Sequence, residues 1–256
     1  MAAVLGAVHG GLLVPWVTRR RPTVVRDGGD PLAVLSCNLQ YGRGDPAALV
    51  DRARARDVDL LLVEVTVEMR AALLDAGIAD LLPHMVGSPE PGSGTAMIFS
   101  RHPVHDPDVA PLPPISYGSE LATVKTPSGD VVVAAVHPVV PVPGPARAWH
   151  GELAGLAAWA ASVPRDVPVV LAGDFNATLD HPVLRRLGDA GMVDAHREVG
   201  RGRHAKWPRI PGLSLLSPWF HLDHVQARGF DVLDADTLVI PGSDHLAVWA
   251  ALAPAS

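Results

Sequence analysis

The sequence predicts an α+β fold of four layers, α/β/β/α, in which two mixed sheets pack face to face and helices cover their outer sides. Two observations carry this prediction. From Pro31 onward, short apolar runs rich in Val, Leu and Ile alternate with amphipathic helical stretches. Two of the runs, 131–136 and 167–172, are almost continuously apolar, as strands buried on both faces are.

The elements follow in order. Residues 32–37 form a first apolar strand, and Asp45 then caps a helix over 46–56 with Pro46 at its first position. A strand of aliphatics at 59–63 leads to a helix over 68–76, and 96–100 is the next strand. After the strand at 131–136 come a helix over 146–161, the strand at 167–172, and a helix over 182–190 for which Asp180 is the expected cap. Strands at 223–227 and 246–252 complete the set. Proline clusters at 107–114, 138–145 and 208–218 cannot enter central strands and are expected as loops, and loops on such a scaffold commonly line the site. There is no internal repeat and no linker long enough to divide 31–256, which is read as one domain.

With 48% hydrophobic and 19% charged residues, the chain has ample material for one extended core. Its net charge of −6 is no basic footprint of the kind that grips long nucleic acid. Bound metal and a local arginine patch (Arg101, Arg201, Arg203 and Arg209 are the candidates) still leave a nuclease open. The single cysteine, Cys37, rules out an intrachain disulfide. Residues 2–17 are apolar apart from His9 and precede three arginines, and 27–31 reads as a turn-rich linker. The run is shorter than the roughly 20 residues of a membrane span, and its charge lies on the wrong side for a signal peptide. Three readings of 1–30 stay open: a peripheral segment, the remnant of a membrane anchor, or an interfacial helix.

Chemistry is concentrated where apolar runs stop. Gly173-Asp174-Phe175-Asn176-Ala177 follows a buried run, so Asp174 and Asn176 face one way while Phe175 returns to the core. Such a pair can hold a water beside a phosphoryl oxygen, although an Asx-type turn explains it equally. Asp244 and His245 precede the last strand, Asn38 ends the first, and Glu64 ends the second. A carboxylate against four aliphatics is costly unless it is paired or metal-bound, or else it simply reaches water. His137 closes the run at 131–136. Asp223 opens a strand within His221-Leu222-Asp223-His224; this pattern invites a zinc reading, but no further histidine partners are evident in the neighbouring sequence. His224 is expected on the face opposite Asp223.

The order Asn38, Glu64, His137, Asp174-x-Asn176, Asp223, Asp244-His245, together with the run from Gly94 to Arg101, resembles the endonuclease/exonuclease/phosphatase superfamily with its DNase I-like fold. The resemblance spans about 32–251. Departures are Val63, where glutamine is common, and His221. Val136-His137-Pro138, Trp149 and Lys206-Trp207-Pro208 are similar to a bacterial membrane-anchored subgroup that includes teicoplanin-resistance proteins. The resemblance implies a monomeric phosphoesterase using Mg²⁺ or Mn²⁺ held by Asn38, Glu64 and Asp244. Asp174 or the Asp223–His245 pair would be the base, with Asn176, His137 and His245 on the water and the phosphoryl oxygens. It implies a substrate among phosphorylated small molecules, lipid-linked phosphates or nucleic acid, and an extracytoplasmic, membrane-associated domain. A nuclease is the alternative, and an inactive binding module of the same fold is a further one.

Overall fold

Side-chain alternation along the strands sorts the apolar residues into three layers of core. In the computed structural model, residues 31–89, 94–202, 207–208 and 219–255 are described. The segment 1–30, with its three readings, therefore lies outside the described residues, as does 209–218 of the expected proline-rich loop. In β1 (Leu32–Asn38) and β2 (Leu60–Val65), Leu32, Val34, Leu60 and Leu62 point into the space between the sheets. Leu35, Cys37, Leu61 and Val63 point outward, against helices. The thiol of Cys37 thus faces away from Asn38, as the alternation predicts.

The first sheet has the order β11-β12-β1-β2-β4-β3, with β3 at His84–Val86, β4 at Thr95–Ser100, β11 at Phe230–Val239 and β12 at Leu246–Pro254. The second has the order β5-β6-β7-β8-β10-β9, with β5 at Val104–His105, β6 at Ser119–Thr126, β7 at Gly129–Val136, β8 at Val169–Asp174, β9 at Val193–Asp194 and β10 at Asp223–Arg228. Each sheet is antiparallel except for one central parallel pair, β1 with β2 and β7 with β8. Helices α1 (Pro46–Ala55), α2 (Val67–Asp75) and α3 (Ile78–Leu81) cover the first sheet. Helices α4 (Ala146–Ser162) and α5 (Pro182–Asp189) cover the second, and a short α6 (Ala195–Glu198) follows β9. This is the predicted four-layer sandwich.

Local signals set the helix starts. Asp45 caps α1 by accepting from the amide of Ala48. The expected cap at Asp180 is corrected: the cap position of α5 is His181, whose side chain bonds no helix amide. Its Nδ1 instead takes the amide of Thr178 at 3.0 Å, because the turn before Pro182 is closed one residue later than the sequence suggests. One glycine is compelled. Val136 and Gly173 are register partners in the parallel pair, and a Cβ on Gly173 would lie 1.9 Å from the Val136 carbonyl oxygen, at a φ of +150°.

Candidate active site

The inward faces of four strands run out of apolar residues at the same end of the sandwich. Each chain continues on its alternation: Leu62 is followed on that face by Glu64, Ala172 by Asp174, and Val225 is preceded by Asp223. Parallel pairing brings Asn38 beside Glu64, and antiparallel pairing brings Asp174 beside Asp223. His137 leaves β7 with its amide donating to the Gly118 carbonyl. The turn before β12 is stitched to β1 by Ser243, whose hydroxyl donates to the Asn38 carbonyl at 2.7 Å and accepts the His245 amide at 3.0 Å. All eight predicted residues thus reach one end of the sandwich. Ser243 is one that the sequence reading passed over.

Asp174 is the hub. Its Oδ2 accepts from Asn38 Nδ2 at 3.1 Å and stands 3.8 Å from Nε2 of both His137 and His245. Its Oδ1 accepts the amide of Asn176 at 2.8 Å, while Asn176 sits at a φ of +48° and donates through Nδ2 to the Pro138 carbonyl at 2.9 Å. The motif is thus an Asx turn that leaves Asp174 Oδ2 facing the histidines. His137 Nδ1 lies 2.9 Å from Glu64 Oε2. His245 Nδ1 lies 2.9 Å from Asp223 Oδ2, which aims its Nε2 at Asp174 and at Asp244 Oδ1, 3.9 Å away.

Burial and charge act on these groups together. Burial lowers His245, but the Asp223 carboxylate and its hydrogen bond outweigh this and raise it to about 10. Burial likewise lowers His137, and Glu64 outweighs it to raise His137 to about 8. Burial raises Glu64, partly opposed by His137. A divalent cation would relieve this crowding. The donor set fits one: Glu64 Oε2 and Asp244 Oδ1 are buried oxygens without an aligned hydrogen bond among the described residues. Glu64, His137 and Asp174 also bring one ligand atom each within 4.8 Å of one another, and so do Asp174, Asp223 and His245.

Of the eight residues, all but the fully buried Asp223 line a cavity of about 730 Å³. Its walls hold residues that the sequence reading did not single out, among them Tyr41, Tyr117, Thr178, His181 and Phe220. Trp207, noted in the sequence only for a subgroup likeness, donates through its indole N–H to Asp244 Oδ2 at 2.9 Å. Of the arginines weighed as a rim patch, Arg203 and Arg209 lie outside the described residues, and Arg101 and Arg201 do not line the cavity. Arg101 is tied to Asp57 and Asp59, and Arg201 lies against Asp234 and Asp236.

Behind β10 lies a second polar cluster, whose members the sequence reading did not bring together. Histidine and carboxylate partners for His221 and His224 are present, supplied by Asp194 and His196 from β9 and α6. His224 is fully buried, with Nδ1 2.7 Å from Asp194 Oδ2 and Nε2 2.8 Å from the Ala177 carbonyl. His221 stacks on it at 4.3 Å. Gln226 also donates to Asp194 at 3.1 Å. Although Asp194, His221 and His224 lie close enough to hold a metal, hydrogen bonds already engage both nitrogens of His224, and the cluster pins β10 to the turn after Asn176.

A family model described as "Endonuclease/Exonuclease/phosphatase family" matches residues 35–245. No curated protein matches the chain. Among solved structures, an endonuclease/exonuclease/phosphatase from Beutenbergia cavernae is 22% identical at a TM-score of 0.64, covering 89% of this chain and 72% of that one. A humanized TDP2 from D. rerio is 15% identical at a TM-score of 0.69, covering 88% and 99%. An AP endonuclease from Archaeoglobus fulgidus is 18% identical at a TM-score of 0.64, covering 86% and 99%. At these identities the likeness concerns the fold.

Proposed function

The chain belongs to the endonuclease/exonuclease/phosphatase family, and from that premise we propose that it hydrolyses a phosphate mono- or diester by metal-assisted attack of water. The observation that carries this reading is Asp174 Oδ2, set among Asn38, His137 and His245 beside the His137-paired carboxylate of Glu64 and the buried Oδ1 of Asp244. Glu64, Asn38 and Asp244 would hold Mg²⁺ or Mn²⁺, hard ions suited to oxygen ligands. When bound, the ion neutralises charge on the phosphoryl group and stabilises the leaving oxygen.

The protein's own groups do the rest. Asp174 takes the proton of the attacking water, and the amides of Asn38 and Asn176 fix its carboxylate and the adjoining turn. His245, held through Nδ1 by Asp223, presents Nε2–H to a non-bridging oxygen. His137, held through Nδ1 by Glu64, presents Nε2–H from the other side. An inactive binding module would need none of this convergence.

Among substrates, a phosphorylated small molecule or lipid-linked phosphate is favoured over nucleic acid, because no described residue lining the cavity is lysine or arginine. A nuclease remains the alternative; a D. rerio TDP2 with single-strand DNA product shares the fold at 12% identity and a TM-score of 0.67. We further propose an extracytoplasmic location with membrane association through 1–30, read out by fractionation of cells with and without that segment. Among the described residues, no helix is long and apolar enough to cross a membrane.

The test is metal-dependent hydrolysis of plasmid DNA, inositol phosphates, phospholipid and polyprenyl diphosphate, with phosphate release, plasmid nicking and release of the phospholipid headgroup read together. Chelation and Glu64→Ala should each abolish turnover. A variant keeping more than a few per cent of activity at saturating Mg²⁺ would remove Glu64 from the metal site.

A further inference from the structure

Directly after Asn38, the chain turns through Gln40, Tyr41 and Gly42 at φ values of 49°, 55° and 81°. Two of these three left-handed residues are not glycine, a conformation that side chains rarely adopt. Asn38 Oδ1 holds the turn by accepting the Gln40 amide at 2.8 Å. The outcome is a tyrosine ring left 85% exposed at the mouth of the catalytic cavity. Strained backbone that presents an unpacked aromatic side chain beside a reaction centre points to a ligand.

The rest of the mouth matches it. Val142 and Phe220 also line the cavity, at 49% and 46% exposure, and Trp219 is exposed beside Phe220 at 58%. These four are most of the exposed large hydrophobic side chains among the described residues; Val67 and Val239 are the others. Trp207 carries the collar down to the polar floor: its backbone pairs with Phe220 and its indole N–H holds Asp244. Among the described residues, the cavity is therefore ionic at its base and apolar at its rim. A polyanion needs cations along its track, whereas an apolar patch of this kind marks a site for apolar matter.

We propose that Tyr41, Val142, Trp219 and Phe220 form a binding subsite for the hydrocarbon portion of an amphiphilic phosphoester whose phosphoryl group lies on the Asp174 floor. The subsite rests on the phosphoesterase reading for its substrate, yet it can be tested without turnover. Methyl-, hexyl- and decylphosphonate, each below its micellar concentration and with Mg²⁺ present, are titrated into the whole chain by calorimetry. Each methylene that lies on the collar should tighten Kd about two- to fourfold, and an affinity independent of chain length would overturn the subsite. The double variant Tyr41→Ser/Val142→Ser alters two exposed positions and should flatten the series; a slope equal to the parent's would place the chain elsewhere. Displacement of decylphosphonate by oligothymidylate with a steep salt dependence would reassign the collar to stacked bases and overturn the proposal. If the chain-length series holds while p-nitrophenyl alkyl phosphates are not hydrolysed, the catalytic reading falls and the subsite stands.

Discussion

Replacing Gly173 by alanine should damage stability and activity together, through one contact. The added Cβ would lie 1.9 Å from the Val136 carbonyl oxygen and 3.0 Å from its carbon. Ordinary contact requires about 3.4 Å or more, so β8 would have to move by over 1 Å from its parallel partner β7. Overpacking of a rigid interior costs about 1–3 kcal/mol, and holding a non-glycine residue at this φ adds about 1–3 kcal/mol. A loss of about 2–6 kcal/mol is therefore expected in urea unfolding. The displaced strand carries Asp174, the next residue, and a shift of about 1 Å in a positioned catalytic group costs on the order of 10²-fold in rate. The measurements are the urea midpoint and kcat on any substrate the protein turns over, at a temperature where the variant is folded. Less than 1 kcal/mol of destabilisation with kcat within threefold of the parent would refute the reasoning that this glycine sets the close approach of the two strands.

Further outcomes separate the roles of individual residues. Asp174→Asn should lower kcat by about 10²–10⁴-fold with the Mg²⁺ concentration dependence little changed; metal affinity weakening in step with rate would make Asp174 a ligand instead of the base. His224→Ala, on the face of β10 opposite Asp223, opens a cavity and removes one donor from the buried Asp194. It should cost about 2–4 kcal/mol in thermal unfolding, and a stability equal to the parent's would show that the cluster behind β10 does not pin that strand.

Much of this was legible in the sequence because the site is written at strand ends. Glu64 and Asp174 each follow a run of buried aliphatics, and alternation alone tells that Cys37 and Phe175 turn away from them, as they do. What escaped is instructive. β11 interleaves Asp231, Asp234 and Asp236 with its apolar residues and carries a register shift between Val232 and Asp234, so no clean period of two survives. The short edge strands β3, β5 and β9 have too few residues to show any pattern. Trp207 and Tyr41 belong to loops, and nothing local announces that one reaches Asp244 or that the other is held out by a left-handed turn. The company kept by His221 and His224 was missed because Asp194 and His196 lie some 25 residues upstream in sequence, a separation that only the pairing of β9 with β10 closes.

The placement of β12 has a consequence for how the protein comes into being. This strand lies between β11 and β1, pairing Leu252 with Leu32 across nearly the whole chain, and the turn that precedes it delivers Asp244 and His245. Asn38, Glu64 and Asp174 therefore cannot be brought beside Asp244 and His245 until β12 has docked on β1, a pairing between distant parts of the chain. Such long-range closure is slow compared with local helix formation.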